Sequence, residues 1–352
     1  MPLFGRSKQV ASHDGVTRFW AWWTSSRGRI ESAIEDQTVP TLADEITRMV
    51  QGINPGLAWE LGPNPKARYT FCISSEGNLA IRHFAEDWLA AAPTTDQLWA
   101  FVTARPPVPA SSLSDIKLEI GGTSARVGEA RVRIAPDRGR ERLNILMWHP
   151  AFASLPREGR ARLGFLILDT ALGEDGVERW LGQIDWAESP VDQSLPIAGL
   201  PDEVSRFATE ATGDQFALYQ GPSLRTGNPL ILNLNTALKH IDHIGKEHLL
   251  TVSIPSLSAG ANGMPAAEET ARLEPVEDQL DVDLKEVAVM GRLTGDASRV
   301  LYRYVTSEKA SEVARSWATR YLADRRVTVN LREDANWDWY REGIYRVFKP
   351  KS

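Results

Sequence analysis

Three of the chain's six histidines, His240, His243 and His248, fall within nine residues, with Asp242 and Glu247 between them. Imidazoles and carboxylates are ligands for zinc-like cations, and on a helix His240 and His243 would share a face at i,i+3. Completed by His248, such a set would support a metal-dependent hydrolase or nuclease-like enzyme. No second group of Cys, His or Asp stands at metal-binding spacing, and a metal site needs a full ligand count. The competing reading, a polar connection between two strands, is the one the spacing favours.

A second group, Asp334, Trp337, Trp339 and Tyr340, lies near the end of the chain. An exposed aromatic pair beside a carboxylate could grip a peptide or a nucleobase. Buried, Trp337 and Tyr340 at i,i+3 would instead close an edge or face of a sheet, because buried aromatic side chains dominate small cores.

A third group is basic. Arg126, Arg131, Arg133, Arg138, Arg140 and Arg142 occupy one predicted hairpin, with Arg157, Arg160 and Arg162 soon after. Arginine can hold phosphate bidentately, so Arg131 and Arg133 head a candidate binding patch. Glu129, Asp137, Glu141 and Glu158 interleave with it, which is the pattern of a solvated, salt-bridged face. The opposite case is the stretch from Glu268 to Glu286, whose carboxylates could meet a basic partner or simply form a wet helix face. Its adjacent pair, Glu277 and Asp278, points about a third of a turn apart on a helix, so paired acid–base catalysis is not implied.

Other motifs are absent or bland. Gly121-Gly122-Thr123 and Gly291-Arg292-Leu293-Thr294-Gly295 lack a phosphate-loop ending and read as turns between strands. No nucleophile elbow exists. The single cysteine, Cys72, allows no intramolecular disulfide and reads as a small apolar residue inside a strand. The sequence therefore assigns no catalytic residue and no cofactor.

These groups must be held by elements. At 352 residues the chain is long enough for two domains, and 42% hydrophobic with 24% charged residues is ordinary for a folded protein. A net charge of −6 offers nucleic acid no overall attraction. No apolar run approaches the roughly 20 residues that span a bilayer, and residues 1–12 show no signal peptide, so the expectation is a cytoplasmic protein without membrane contact. Twelve tryptophans point to firm cores.

Helical spacing runs over 16–35, 41–51 (with Thr41 as N-cap), 83–92 and 157–180, the last broken near Gly173. Strands are expected at 57–61, 67–74, 79–82, 98–103, 116–120, 125–134 and 142–148. Residues 186–201, rich in Pro and Gly, are the linker candidate, followed by a short helix. Further on, alternation marks strands at 249–254, 287–294, 300–306 and 327–331. Helices are expected at 266–284 and 307–322, the first kinked or divided by Pro275 and the second capped by Ser307. That β-α-β-β-α-β succession predicts an α+β chain whose C-terminal domain is ferredoxin-like, with both helices on one face of an antiparallel sheet. The expected division is an N-terminal α+β domain over 1–188, a linker with a short helix over 189–213, and the C-terminal domain over 214–352.

The run from Ala261 to Glu269, then Leu273, Val276–Leu280, Gly291–Gly295, Leu301–Tyr304 and Val327–Asn330, closes with Asp334, Trp337, Tyr340 and Tyr345. This succession resembles a bacterial domain family of unknown function, DUF695, over about residues 214–347, and the Asp-x-x-Trp-x-x-Tyr ending is its most specific part. The N-terminal half resembles the leading domain of longer members, through Phe19 to Trp22, Ala91 to Pro93 and Trp99 to Phe101. The resemblance implies no activity. The reading it leaves is a non-catalytic interaction or regulatory module whose partner is another protein.

Overall fold

The computed structural model describes residues 5–348 apart from residues 65, 95 and 121, and side chains from residue 14 onward. It is a mixed α+β chain of two compact units, one made of residues 1–135 with 143–209 and the other of 136–142 with 210–352.

The first unit contains two cores. Helices α1 (Gly5–Glu35), α2 (Ala43–Gln51) and α3 (Arg82–Ala90) pack on strands β1 (Ala58–Pro63), β2 (Tyr69–Ser74) and β3 (Trp99–Val102). Phe19, Trp23, Ile46, Val50, Phe71, Trp88 and Trp99 fill the space between them. The expected Thr41 cap is displaced, because a 3-10 turn at Val39–Leu42 precedes α2. The strand expected at 79–82 is a 3-10 turn, opened by the Asn78 carboxamide, which accepts the Ala80 N–H.

The second core joins strands β4 (Lys117–Ile120), β5 (Thr123–Arg126), β6 (Arg131–Asp137), β7 (Arg142–Trp148), β8 (Leu181–Trp186) and β9 (Leu195–Pro196) to helices α4 (Arg157–Trp180) and α5 (Leu200–Ala208). The single strand expected over 125–134 is broken by a 3-10 turn at Val127–Glu129. The expected break in α4 is present: Gly173 takes φ 72°, and a Cβ there would meet the Arg105 carbonyl oxygen at 2.9 Å. Of the Gly121–Gly122 turn, Gly121 lies outside the described residues, and Gly122 takes φ 80° between β4 and β5. The segment anticipated as a linker is largely built into this unit, since Ile197, Leu200, Val204 and Phe207 are buried in its core. Its Pro and Gly residues serve a short strand and a helix start.

The second unit is one six-stranded antiparallel sheet with two helices. Its strands are β10 (Phe216–Pro222), β11 (Pro229–Asn235), β12 (His248–Pro255), β13 (Val287–Gly295), β14 (Ser298–Val305) and β15 (Thr328–Glu333). They lie in the order β10-β11-β13-β14-β12-β15. Helix α6 (Ala267–Leu284) follows β12 and α7 (Lys309–Tyr321) follows β14. Period-two alternation sends Leu250, Val252, Ile254, Leu301 and Val305 to one face, where they meet Leu273 and Leu280 of α6 and Ala314 and Trp317 of α7. Each fully buried large apolar side chain contributes about 1.5–3 kcal/mol here. Buried Leu273 and Leu280 anchor α6 on both sides of Pro275, so the helix is not divided. The expected Ser307 cap is displaced by one residue: Glu308 is the N-cap of α7 and makes no side-chain cap bond, while the Ser307 hydroxyl, one residue earlier, accepts the Lys309 N–H at 3.0 Å. The Gly291–Gly295 segment is not a turn but the end of β13, and Gly291 sits at a bulge where a Cβ would lie 2.2 Å from the Asn233 carbonyl oxygen.

The other sheet face carries Leu230, Leu232, Leu234, Leu249, Met290 and Tyr304. It is covered by Trp337 and Ile344, which flank the short helix α8 (Asp338–Arg341).

Candidate functional site

The chemistry-bearing residues of the second unit collect in two places, one on each face of its sheet. On the face under α8, Trp337 is buried at 1% exposure and holds a left-handed backbone, φ 57°. Its indole N–H donates to the Lys246 carbonyl at 2.8 Å, and its ring stacks on Tyr304, centroids 4.2 Å apart and 10° from parallel. Asp334 accepts three hydrogen bonds: the Tyr304 hydroxyl at 2.5 Å, and the N–H groups of Asp338 at 2.9 Å and Trp339 at 3.1 Å. Burial, then the Asp334 carboxylate, pushes the Tyr304 hydroxyl well above its ordinary pKa. The Tyr340 hydroxyl donates to the Asn235 carbonyl at 2.9 Å and is also pushed up by burial. Trp339 lies beside Tyr302, with the Arg332 guanidinium 4.7 Å above its ring.

The histidines join this same cluster. Residues 240–243 form a 3-10 turn rather than an α-helix, which still sets His240 and His243 on one side, but both rings lie against Trp337. The His240 ring meets Trp337 edge-on at 5.0 Å and His243 stacks on it at 5.9 Å. Burial, then the Lys246 ammonium, lowers the pKa of His243 and favours the neutral imidazole. His248 stands at the start of β12, paired with Val305 and Glu333. Among the described residues no group of three or more His, Cys, Asp or Glu is arranged to hold a metal ion.

On the opposite face a row of arginines crosses β13 and β14. Arg299 donates to Glu277 at 2.7 Å, Arg292 to Glu277 at 3.2 Å and to Glu274 at 3.3 Å, and Arg303 grips Asp281 through two nitrogens at 2.5 and 3.0 Å. Glu269 accepts from the Leu257 N–H, the Ser256 hydroxyl, the Ser258 N–H and Arg325. Burial alone would raise its pKa, but those donors outweigh burial and hold it at about 2. The stretch expected to be a solvated acidic face is thus partly internal, with Glu269 and Glu277 at 7% and 4% exposure.

Residues 224–345 match the model of a family described as a family of unknown function, DUF695. This segment is a DUF695 domain. No curated protein and no solved structure matches the chain. In the DUF695 domain the Asp-x-x-Trp-x-x-Tyr ending ties the chain's last turns to the sheet through Tyr304, Lys246 and Asn235. The domain's arginine row is paired with the carboxylates of α6, and in the aromatic cluster Trp337, Tyr304 and Tyr340 bond internally, whereas the Trp339 indole N–H is buried without a hydrogen-bond partner.

Outside the DUF695 match, Arg131 donates to the Ser194 hydroxyl at 3.0 Å and to its carbonyl at 2.6 Å, whereas Arg133 is exposed on β6. Arg138 pairs with Glu210 and Arg160 with Glu188. The arginines are therefore interleaved with partners along several elements. Sequence reasoning missed a carboxylate group in the first unit, in which Asp169 and Glu174 are half-buried and Glu60 is exposed. Arg105 binds Glu60, its N–H contacts Glu174 at 3.3 Å, and Asp169 lies in the same electrostatic group. Asp169 is pushed up to about 6, first by burial and then by Glu174. No spacing signal could have found it, because Glu60, Arg105 and Asp169 come from three distant elements. Cys72 is buried, and that burial raises its thiol pKa and disfavours the thiolate.

Proposed function

We propose that the chain is a non-catalytic protein-interaction or regulatory module, cytoplasmic, in which a DUF695 domain of ferredoxin-like topology presents one side of its sheet to another protein. The observation that carries this reading is how the domain distributes its side chains. Asp334, Glu269, Glu277 and Asp281 are each held by internal donors, so no carboxylate among them is left poised over a cavity for chemistry. Among the exposed residues, by contrast, are large apolar side chains, including Phe216, Leu218, Leu224, Leu257 and Val282. Of these, Phe216 and Leu218 stand two residues apart on one face of β10, and contiguous exposed apolar surface marks interaction or ligand-binding sites. The strand order β13-β14-β12-β15, with both helices on one face, supports the ferredoxin-like assignment. The cytoplasmic assignment rests on the single buried cysteine.

The test is crosslinking of the tagged full chain at its native level in cells, followed by mass spectrometry. A stoichiometric protein partner supports the reading. A purified chain that carries stoichiometric zinc or manganese, lost on His240→Ala, would replace it with the metal-dependent hydrolase alternative.

A further inference from the structure

The sheet of the second unit is wider than its helical layer. Strands repeat about every 4.8 Å and packed helices sit about 10 Å apart, so two helices cover about four strands. Here α6 and α7 pack over β13, β14, β12 and β15. On the same face, β10 and β11 leave a lane about one helix wide. Its floor is formed by Phe216, Leu218, Ile231 and Asn233, and Leu218 and Phe216 are 67% and 49% exposed. A depression of about 220 Å³ opens there between Leu218, Met264, Pro265 and Arg292.

The lane's inner wall is α6, which carries seven carboxylates against one arginine, Arg272. One flank of α6 faces α7, since Trp317 donates to the Val276 carbonyl and Arg320 pairs with Asp283. The other flank reaches Arg292, Arg299 and Arg303 through Glu274, Glu277 and Asp281, and it borders the lane. Glu274 and Asp278, four residues apart, are exposed on that flank. Neither β10 nor β11 contains a charged residue.

We infer that the lane seats a helix of a partner protein, with an apolar stripe that meets Leu218 and Phe216 and lysines or arginines on the edge that faces Glu274 and Asp278. This rests on the interaction reading above and names its surface. Apolar burial supplies attraction; Arg292, Arg299 and Arg303 offset Glu274, Glu277 and Asp281 along the flank, so the exposed Asp278 carboxylate is the excess charge that sets orientation and favours a basic over an acidic edge.

The probe is a fluorescent leucine–lysine amphipathic helix of about 18 residues, five turns. Two controls accompany it, a scrambled peptide of equal composition and a leucine–glutamate counterpart. Titrated with the full chain at low salt, the leucine–lysine helix should bind at least about tenfold more tightly than either control, a gap of about 1.4 kcal/mol. Leu218→Asp, and separately the pair Glu274→Lys with Asp278→Lys, should each weaken it by about tenfold or more, while Val282→Ser on the outer face of α6 should not. Equal binding of the scrambled peptide, or indifference to Leu218→Asp, overturns the proposal. So does a homodimer in solution that Leu218→Asp dissociates, since a second copy then fills the lane. A photo-crosslinking amino acid at Leu218 separates the two readings in cells. Partner crosslinks from β15 with none from Leu218 would overturn the lane while leaving an interaction role standing.

Discussion

The Tyr304 hydroxyl donates to Asp334 at 2.5 Å while the Tyr304 ring stacks on Trp337, three residues further along. One tyrosine on β14 thereby fixes both the carboxylate and the indole of the Asp-x-x-Trp-x-x-Tyr ending. His240 and His243 also pack on that indole, so two groups that look separate in the sequence form one cluster.

Replacing the indole should be costly. Trp337→Ala removes a fully buried ring that makes four ring contacts and one hydrogen bond, and is expected to lower stability by about 3–5 kcal/mol. Trp337→Phe should recover part of that loss. Urea unfolding followed by far-UV circular dichroism reads both, and a cost under about 1 kcal/mol for the alanine variant would mean the ring is not a core element.

The buried ion pair between Glu277 and Arg299 predicts an asymmetry. Glu277→Leu alone leaves the Arg299 guanidinium buried at 3% exposure without its closest carboxylate, and should cost about 3–5 kcal/mol. Arg299→Met in the same chain should restore much of the loss, because the lone charge is gone. Equal effects of the single and double variants in urea unfolding would refute the pairing.

Stability should also depend on pH through two carboxyls of opposite sign. Asp169 has its folded-state pKa raised from 3.8 to about 6, so the native state holds its proton more tightly. Its stabilising effect is present below about pH 4 and fades as pH rises through 6. Asp169→Asn should therefore stabilise the chain at pH 7.5 by about 1–2 kcal/mol and flatten the slope between about pH 4 and about pH 6. Glu269 is depressed to about 2, so its contribution is present above the ordinary carboxylate range and is lost as pH falls toward 2. Thermal melts from pH 3 to about 8 of both Asp169→Asn and Glu269→Gln would separate the two limbs.

Gly291→Ala should destabilise the domain by more than about 2 kcal/mol. Its Cβ would lie 2.2 Å from the Asn233 carbonyl oxygen at a bulge of β13, and its φ of 153° disfavours a side chain. A melting temperature unchanged in the variant would contradict the bulge geometry.

The β-α-β-β-α-β run was legible because Leu250, Val252 and Ile254 alternate along β12 and because Leu273, Leu280 and Trp317 recur at helical spacing. Leu230, Leu232 and Leu234 alternate just as clearly on β11, yet that strand escaped notice beside its Pro- and Asn-rich surroundings. β10 was harder. It has apolar side chains on both faces, Phe216 and Leu218 outward and Tyr219 inward, and so shows no alternation of polarity. The fate of the charges was illegible for a different reason. Whether Glu277 is wet or buried depends on Arg299, 22 residues away on another element, and no local spacing encodes that pairing.

The Asp-x-x-Trp-x-x-Tyr ending holds its place through Asp334 as a structural acceptor, and urea unfolding of Asp334→Ala tests that most directly. Loss of three accepted hydrogen bonds should lower stability by about 2–4 kcal/mol and loosen residues 337–347, seen as faster amide hydrogen exchange there. A variant with unchanged stability and exchange that nevertheless fails to bind its crosslinked partner would show instead that Asp334 belongs to a ligand site.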